Sequence, residues 1–322
     1  MIDWRPSCTV EAARRRADML GRARAFFAAR GVLEVETPIL SPAAVSDPHL
    51  ESVTARLALD PERPRWLRTS PEFALKRLLC AGFPDVYEIG RVFRDGERGA
   101  RHQPEFTMVE WYRHGFGLAG IVADTVDFVH AVLDTRFAGA PRTLDYREAF
   151  RQHAGLDPVD APLEALAAAA GADVRLRAAL GDRRDDWLDL VLATRVVPCF
   201  ARDRLTVLRH YPASQAALAR ICPADASVAD RFEVFCGDLE LANGFVELAD
   251  ADEQAARFEA DQARRAAAGL PTRPVDRRLL AALRHGLPPC AGVAVGFDRL
   301  VMLGEMTDDI RSVQTFPFED PC

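Results

Sequence analysis

The chain has 322 residues, of which 49% are hydrophobic and 28% are charged, as in an ordinary globular protein. No apolar run approaches the roughly 20 residues that a membrane-spanning helix needs, and the first residues lack the apolar stretch of a secretion signal. A net charge of −7 argues against a broad nucleic-acid-binding surface, and seven scattered cysteines without a CxxC pair favour reduced thiols over disulfides or a zinc site. We therefore expect a cytoplasmic protein that binds neither a membrane nor tRNA.

The N-terminal segment predicts a long helix and then a strand. Thr9 is a typical helix N-cap, apolar residues follow at helical spacing, and Gly31 is placed to end the helix in a left-handed turn. A strand over residues 32–40 follows and is stopped by Pro38. Residues 41–68 are rich in proline, and we expect a loop with one short strand there.

A second helix is predicted within RTSPEFALKRLLCAGF, with Ser70 as N-cap, Pro71 at the first helical position and Gly82 beyond the end. Glu72 in its first turn either complements the helix dipole or serves a ligand. The same helix holds Lys76, the only lysine in a chain with 40 arginines. Either a coding bias against lysine or a need for a compact ammonium group explains this position.

Residues 86–113 predict two antiparallel strands joined by a long loop, RDGERGARHQ, that is dense in charge and glycine. Side chains of a strand alternate between two faces. The second strand therefore presents two sets of residues: Phe106, Met108, Glu110 and Tyr112 on one face, and Thr107, Val109 and Trp111 on the other. An aromatic ring, a carboxylate and a phenol on one face are unusual for a core strand. This pattern favours a binding face over an exposed hairpin with a solvated tip.

The middle of the chain predicts mainly helices. An amphipathic helix over residues 115–137 and alanine-rich helices over 145–200 suggest a helical insertion at about 115–200. A strand over 204–212 and a short helix over 212–222 follow.

Residues 231–248 predict two strands with a turn at 236–238 that present four polar side chains: Glu233, Glu240, Asn243 and Glu247. On a regular strand Asn243 and Glu247 share one face and Glu240 lies on the other, so one ligand can meet all three only if the strand has a bulge near 243–244. Three acidic groups on neighbouring strands repel unless a cation lies among them. That cation could be a hard metal, an amine or both, and the alternative is a solvated strand face.

Polar-faced helices precede the last informative segment, CAGVAVGFDRLVMLGE, which predicts a buried strand, Gly296 and a helix that opens at Asp298 and Arg299. A helix N-terminus favours phosphate through its free N–H groups.

Three segments in this order resemble the three signature motifs of the class II aminoacyl-tRNA synthetases: the first helix and strand with Thr37-Pro38, the hairpin with Arg94 and HQPEF, and the final Gly-x-Asp-Arg. The resemblance implies an α+β fold, with an antiparallel sheet flanked by helices in a single catalytic domain over 1–322. In that family the first motif builds the dimer interface, so we expect a homodimer.

Within the class, SPEF, HQPEFTMVEWYR, HYPASQAAL, ELANGFVEL and GVAVGFDRLVML are similar to a family of lysyl-tRNA synthetase-like ligases that modify elongation factor P with (R)-β-lysine. The first helix is predicted to start near residue 9, so we expect this chain to lack the N-terminal anticodon-binding barrel of a lysyl-tRNA synthetase. The resemblance implies ATP- and Mg²⁺-dependent activation of (R)-β-lysine or lysine as an adenylate, and transfer to a lysine ε-amine of elongation factor P. The alternatives are a truncated synthetase that charges tRNA and a non-catalytic regulatory paralogue.

The resemblance also assigns roles to individual residues. The nucleotide-binding set is Arg94, Asp95, Gly96, Gln103, Phe106, Glu240, Leu241, Gly296 and Arg299. Arg94 and Arg299 are the catalytic residues that hold the α- and γ-phosphates, Phe106 stacks on adenine, and Glu233 and Glu240 bind the metal. The substrate-binding set is Ser70, Pro71, Glu72, Glu110, Tyr112, Asn243, Glu247 and Ala294.

In this assignment Glu72 and Glu110 take one amine, and Tyr112, Asn243 and Glu247 hold the other end of the substrate. Ala294 replaces a glycine that is usual in lysyl-tRNA synthetases, and its methyl group could favour the shifted amine of β-lysine.

Two positions depart from the family pattern. The second motif usually reads Arg-Asn/Asp-Glu, whereas here it reads Arg94-Asp95-Gly96 with Glu97 one place late. Gln103 stands where asparagine is usual before Pro-Glu-Phe. Both departures concern the nucleotide and acceptor side of the site.

Overall fold

A computed structural model describes residues 4–134, 137 and 139–318 of the chain. The helices in this part are α1 Val10–Ala28, α2 Glu72–Cys80, α3 Leu118–Leu133, α4 Tyr146–His153, α5 Leu163–Ala169, α6 Val174–Leu180, α7 Arg184–Val191, α8 Ala251–Ala267, α9 Arg277–His285 and α10 Phe297–Glu305. The strands are β1 Leu33–Glu34, β2 Leu40–Ser41, β3 Thr54–Leu57, β4 Asp60–Leu67, β5 Val86–Phe93, β6 Glu105–His114, β7 Arg142–Asp145, β8 Leu205–Arg209, β9 Arg231–Cys236, β10 Leu239–Val246 and β11 Cys290–Gly296.

An eight-stranded sheet in the order β1-β5-β6-β11-β10-β9-β8-β7 forms the centre of the molecule. Along the sheet, neighbouring strands from β5 through β6, β11, β10 and β9 to β8 are antiparallel. The two edge strands pair in parallel, β1 with β5 and β7 with β8. Helices flank the sheet, which confirms the predicted α+β class. None of the helices in the described part combines the length and apolar character required to cross a bilayer.

One face of the sheet is covered by α1, α3 and α10, which share the largest hydrophobic cluster. The Thr9 hydroxyl caps α1 by accepting a hydrogen bond from the Ala12 N–H at 3.1 Å. Phe27 on this helix stacks on Tyr87 of β5, with ring centroids 4.0 Å apart, and Trp111 of β6 lies in the same cluster. The opposite face of β6 is therefore left free for polar residues.

The segment after α1 differs from the prediction. Pro38 divides the expected strand 32–40 into β1 and β2, and the two pieces join different sheets. The proline-rich residues 41–68 contribute to a three-stranded sheet, β2-β4-β3, rather than one short strand. Prolines argue against a strand because they cannot donate to a ladder. β4 nevertheless forms, since its Pro61 and Pro64 fall at positions without a ladder partner.

The expected helix over 212–222 is also wrong, since only a 3₁₀ turn over Ala213–Gln215 forms. Ala217 has a left-handed backbone with φ of 50°, and isolated bridges join Ala219 to Glu247 and Ile221 to Ala229. Pairing with distant strands therefore overrides the helical preference of the alanines.

The helices of the predicted insertion belong to two environments. α3 packs in the main cluster against the central sheet, whereas α4, α5 and α7 form a separate cluster beside β7 and β8. The limits of the insertion at about 115–200, and the single catalytic domain, stay predictions.

Candidate active site

A cavity of about 1050 Å³ lies against the sheet face that α1 and α3 do not cover. Its wall includes the predicted face of β6 with Phe106, Met108, Glu110 and Tyr112, while Val109 and Trp111 point into the core, which confirms the predicted alternation. The structure brings most of the predicted site residues together around this cavity: Ser70, Pro71, Glu72, Arg94, Gln103, Phe106, Glu110, Tyr112, Glu233, Glu240, Leu241, Asn243, Glu247, Ala294, Gly296 and Arg299. Asp95 and Gly96 are exposed and lie outside it.

The start of α2 is joined to β6 at the acidic end of the cavity. The helix N-cap is Pro71 and not Ser70 as predicted. The Ser70 hydroxyl accepts a hydrogen bond from the Glu72 N–H at 2.9 Å and donates one to Glu110 Oε2 at 3.0 Å. Ser70 therefore ties the Glu110 carboxylate to the backbone at the start of α2.

Glu110 is almost fully buried, and its Oε1 accepts a hydrogen bond from the Tyr112 hydroxyl at 2.8 Å. Burial, and then the nearby Glu72 carboxylate, raises the pKa of Glu110 to about 8, although Tyr112 and Ser70 lower it. A cation placed against Glu110 would stabilise its carboxylate form.

Lys76 lies at this end of the cavity, although the sequence-based site assignment did not include it. Its Nζ lies 2.6 Å from Glu72 Oε1 and 2.5 Å from Glu247 Oε2, and only 1% of its side chain is exposed. Burial lowers the pKa of Lys76, but the Glu247 and Glu72 carboxylates outweigh this effect and raise the pKa above its ordinary value. Its position four residues after Glu72 was the available signal, because such residues are neighbours on a helix.

Glu247 is 5% exposed, and its Oε1 has no hydrogen-bond partner among the described residues. Burial raises the pKa of Glu247 above its ordinary value, although the Lys76 ammonium, 2.5 Å from Oε2, lowers it. A Cβ atom at Gly292 would lie 2.7 Å from this Oε1 and 2.4 Å from a ring carbon of Tyr112. Only glycine at 292 therefore lets both side chains lie against β11.

The opposite end of the cavity is basic and aromatic. The Arg94 guanidinium lies 5.1 Å from the centroid of the Phe106 ring, and its buried Nε has no hydrogen-bond partner among the described residues. Arg299 donates to the Glu240 carbonyl oxygen at 2.9 Å, and its Nη2 lies 2.8 Å from Nε2 of His102. Two guanidinium groups and an aromatic ring suit a nucleotide with its phosphates.

His102 lines this end, although the sequence-based assignment did not include it. Burial, and then the charge of Arg299, holds the pKa of His102 below its ordinary value, so a neutral imidazole accepts the Arg299 hydrogen bond. Its place at the start of HQPEF was the signal that could have identified it.

The extra residue in the second motif is absorbed by a turn. Gly96 has φ of 77°, a left-handed conformation that side chains disfavour. Beyond it, Glu97 returns to the cavity wall, 3.6 Å from Arg94. The resemblance implied that Asp95 and Gly96 line the nucleotide end of the cavity, but Glu97 lines it instead. The second departure, Gln103, is buried, and its Oε1 accepts a hydrogen bond from the Phe318 N–H at 3.0 Å.

A bulge in β10 brings Glu240 to the cavity side of the strand. The prediction placed this bulge two residues too late in the chain. The register of β9 and β10 shifts between Glu240 and Ala242, and not at 243–244. Gly244 serves a different purpose, because a Cβ there would lie 2.8 Å from the Gly292 carbonyl oxygen. With the bulge at Leu241, Glu240, Asn243 and Glu247 all line the cavity.

The two predicted metal ligands differ in their freedom to bind an ion. Glu233 already accepts hydrogen bonds from the Tyr211 hydroxyl at 2.6 Å and Arg231 Nη2 at 2.7 Å. Burial, and next the Glu240 charge, raises the pKa of Glu233 to about 7. The Glu240 side chain is 42% exposed, and its one ion-pair contact among the described residues is with Arg299, at 3.6 Å. This donor set fits Mg²⁺, which keeps several waters and uses one or two carboxylates beside substrate phosphates.

Comparison with known proteins extends over nearly the whole chain. The family model for tRNA synthetases class II (D, K and N) matches residues 1–320. The elongation factor P–(R)-β-lysine ligase of Hamiltonella defensa subsp. Acyrthosiphon pisum is 44% identical over 325 residues, covering 98% of both chains. Proteins of that name from Mannheimia succiniciproducens and Yersinia pestis are 43% and 44% identical, and the alignments cover 97% and 98% of this chain and 97% of each relative.

Proposed function

The chain belongs to the class II tRNA synthetases of the D, K and N family, and from this premise we propose that it is an ATP-dependent ligase that activates (R)-β-lysine and joins it to elongation factor P. Relatives at 43–44% identity over nearly their full length carry that name. The order of the three motifs, all of which reach one cavity, supports the same reaction class.

The observation that carries the substrate assignment is the charge of the buried cavity end. Three carboxylates, those of Glu72, Glu110 and Glu247, meet a single internal ammonium group on Lys76. With all three ionised, their charge would exceed that of Lys76 by two, which disfavours ionisation of Glu110 and Glu247 unless a further cation is present. Among the described residues, Glu247 Oε1 also has no hydrogen-bond donor. A substrate with two ammonium groups supplies both the charge and the donors, whereas a monoamine or an acidic amino acid does not.

In the first step a carboxylate oxygen of the substrate attacks the α-phosphorus of ATP, a new P–O bond forms, and pyrophosphate leaves. Arg94 and Arg299 face the negative charge that develops on the phosphates, and exchange their present contacts with Glu97 and His102 for phosphate oxygens. Phe106 offers a flat surface for the adenine base. Mg²⁺, held mainly through Glu240, would neutralise further phosphate charge.

In the second step an unprotonated ε-amine of elongation factor P attacks the carbonyl carbon of the adenylate, AMP leaves, and the amine proton passes to solvent. The site contributes by holding the adenylate in place, because a positioned pair reacts far faster than two free molecules. The buried amine contacts at Glu110 and Glu247 fix the acyl group at one end of the cavity.

Pyrophosphate exchange with a panel of amino acids tests this proposal, followed by transfer to purified elongation factor P or to tRNA. We expect exchange with β-lysine or lysine and transfer to the protein. Transfer to tRNA would indicate a tRNA-charging synthetase instead, and no exchange with any amino acid would indicate a regulatory paralogue.

The proposal includes a cytoplasmic homodimer that pairs through the N-terminal segment. Several apolar side chains there are exposed: Val10 by 62%, Leu33 by 44%, Ile39 by 40% and Leu40 by 38%. β1 also ends the large sheet as an edge strand. Light scattering at micromolar concentration should give the mass of two chains, and a fully active monomer would contradict the dimer.

A further inference from the structure

Lys76 is the only lysine of the chain, and its surroundings are unusual for a charged residue. It lies on α2 between two carboxylates from distant segments, Glu72 at the start of the same helix and Glu247 just after β10. Buried ion pairs of this kind often add nothing to stability relative to apolar residues of similar volume. A role in the site is therefore a better explanation of Lys76 than stability.

The geometry shows what Lys76 does to its partners. Its ammonium holds one oxygen of each carboxylate, at 2.6 Å and 2.5 Å, so these two oxygens are no more than about 5 Å apart. The second oxygen of Glu247 has no donor in the part of the chain that the structure describes, and both carboxylates line the cavity. Lys76 thus acts as a spacer that fixes the separation of two groups able to bind ammonium.

We propose that Lys76 is a positioning residue that sets the substrate's amine spacing: by bridging Glu72 and Glu247 it makes the pocket select diamines according to the distance between their two nitrogens. The inference rests on the proposed function, in which Glu72 and Glu110 together bind one amine of the substrate and Glu247 binds the other. (R)-β-lysine and α-lysine are isomers whose nitrogens are separated by three and by four carbon–carbon bonds, respectively. A pocket with a fixed spacing discriminates between them, and a pocket with mobile carboxylates does not.

Several groups surround the Lys76 ammonium, and their response to its removal can be stated. They come from α2, β6, β10, β11 and the segment after β10: Glu72, Cys80, Glu110, Tyr112, Phe245, Glu247 and Cys290. Without Lys76, Glu72 and Glu247 repel each other, and the pKa of Glu247 rises because the charge that lowers it is gone. The Glu247 carboxylate then forms only at higher pH, and its separation from Glu72 is no longer fixed.

The experiment compares the parent, Lys76→Met and Lys76→Arg in pyrophosphate exchange with (R)-β-lysine and with α-lysine across pH. In Lys76→Met we expect the ratio of kcat/KM for the two isomers to change at least about tenfold, so that it approaches 1:1. The acidic limb of the pH–rate profile should move to higher pH. Lys76→Arg keeps the charge and should leave the limb in place, but its larger planar group should also change the isomer ratio. Arg284→Met, which removes an exposed charge from α9, is the control and should change neither quantity.

Each outcome decides the question. An unchanged isomer ratio in a folded, active Lys76→Met would show that Lys76 is only a counter-ion, and a parent without isomer preference would refute the spacing argument while leaving the ligase function standing. If Lys76→Met does not fold, the isomer ratio of Lys76→Arg decides alone. A parent that activates neither isomer refutes the proposed function, and this inference falls with it.

Discussion

The substitution Glu247→Gln tests the buried acidic end of the cavity with almost no change in volume. The Glu247 side chain is 5% exposed, and its Oε2 lies 2.5 Å from the Lys76 ammonium. Glu247 also lines the cavity, and its Oε1 has no hydrogen-bond donor within the described ranges. Losing one partner of a dehydrated charged pair commonly costs about 2–5 kcal/mol. For a diamine this corresponds to a loss in kcat/KM of roughly 30- to 5000-fold.

The fold should survive the substitution, because Lys76 keeps its second partner, Glu72, at 2.6 Å. ATP affinity should change less than twofold, since the arginines of the nucleotide end lie at the other side of the cavity. The assay pairs calorimetry of ATP binding with pyrophosphate exchange using β-lysine, α-lysine and a monoamine, 6-aminohexanoate. Glu164→Gln, which changes an 85% exposed carboxylate on α5, is the matched control.

A refutation would be clear. If Glu247→Gln prefers diamines over the monoamine as strongly as the parent does, Glu247 does not bind a substrate amine. The charge argument for a diamine substrate would then lose its main support.

Further predictions follow from the same geometry. Arg94→Ala and Arg299→Ala should each abolish exchange while circular dichroism and Tm stay near the parent values, since each removes charge stabilisation worth about 3–4 kcal/mol in such a site; near-normal exchange would contradict the phosphate roles. Because the pKa of Glu110 is raised from 4.5 to about 8 in the folded protein, the free energy of unfolding should fall as pH rises between these values. Over the same range kcat/KM for diamines should rise towards pH 8, as the Glu110 carboxylate forms. Urea unfolding and pyrophosphate exchange at several pH values measure the two quantities, and flat pH profiles would contradict a raised pKa of Glu110. Gly292→Ala should lower diamine activation by about 30-fold or more while ATP still binds, because the new methyl group meets an aromatic carbon at 2.4 Å. In the control Gly304→Ala, the new Cβ would lie at an ordinary 3.5 Å from the Met19 sulfur, and the substitution should be tolerated. Equal diamine activation by Gly292→Ala and Gly304→Ala would contradict the proposed crowding at Gly292.

The sequence was a good guide where a residue's role depends on its own strand or on a motif. Alternation along β6 was enough to place Glu110 and Tyr112 on one face and Trp111 on the other, and the structure has them so. The nucleotide end follows from Arg94 and Arg299, which the motifs single out and the cavity brings together.

The failures arise where distant segments decide the local structure. β4 forms despite its prolines because its ladder partners avoid them, and no local preference indicates this. The bulge at Leu241 depends on the register of β9 against β10, which a strand's own sequence does not determine. Lys76 stands out in the sequence as the only lysine, but its pairing with Glu247 depends on the fold, which brings Glu247 to it from far along the chain.

The burial of Lys76 has a consequence for the chemistry of the enzyme's own surface. Acyl adenylates acylate unprotonated ε-amines, and a ligase that releases such intermediates risks labelling itself. This chain has one lysine side chain, which is 1% exposed and held as an ammonium by two carboxylates, so no lysine on its outer surface can be acylated. Every exposed side-chain cation of the folded enzyme is an arginine or a histidine, and an adenylate that escapes the cavity can acylate a lysine only on another protein.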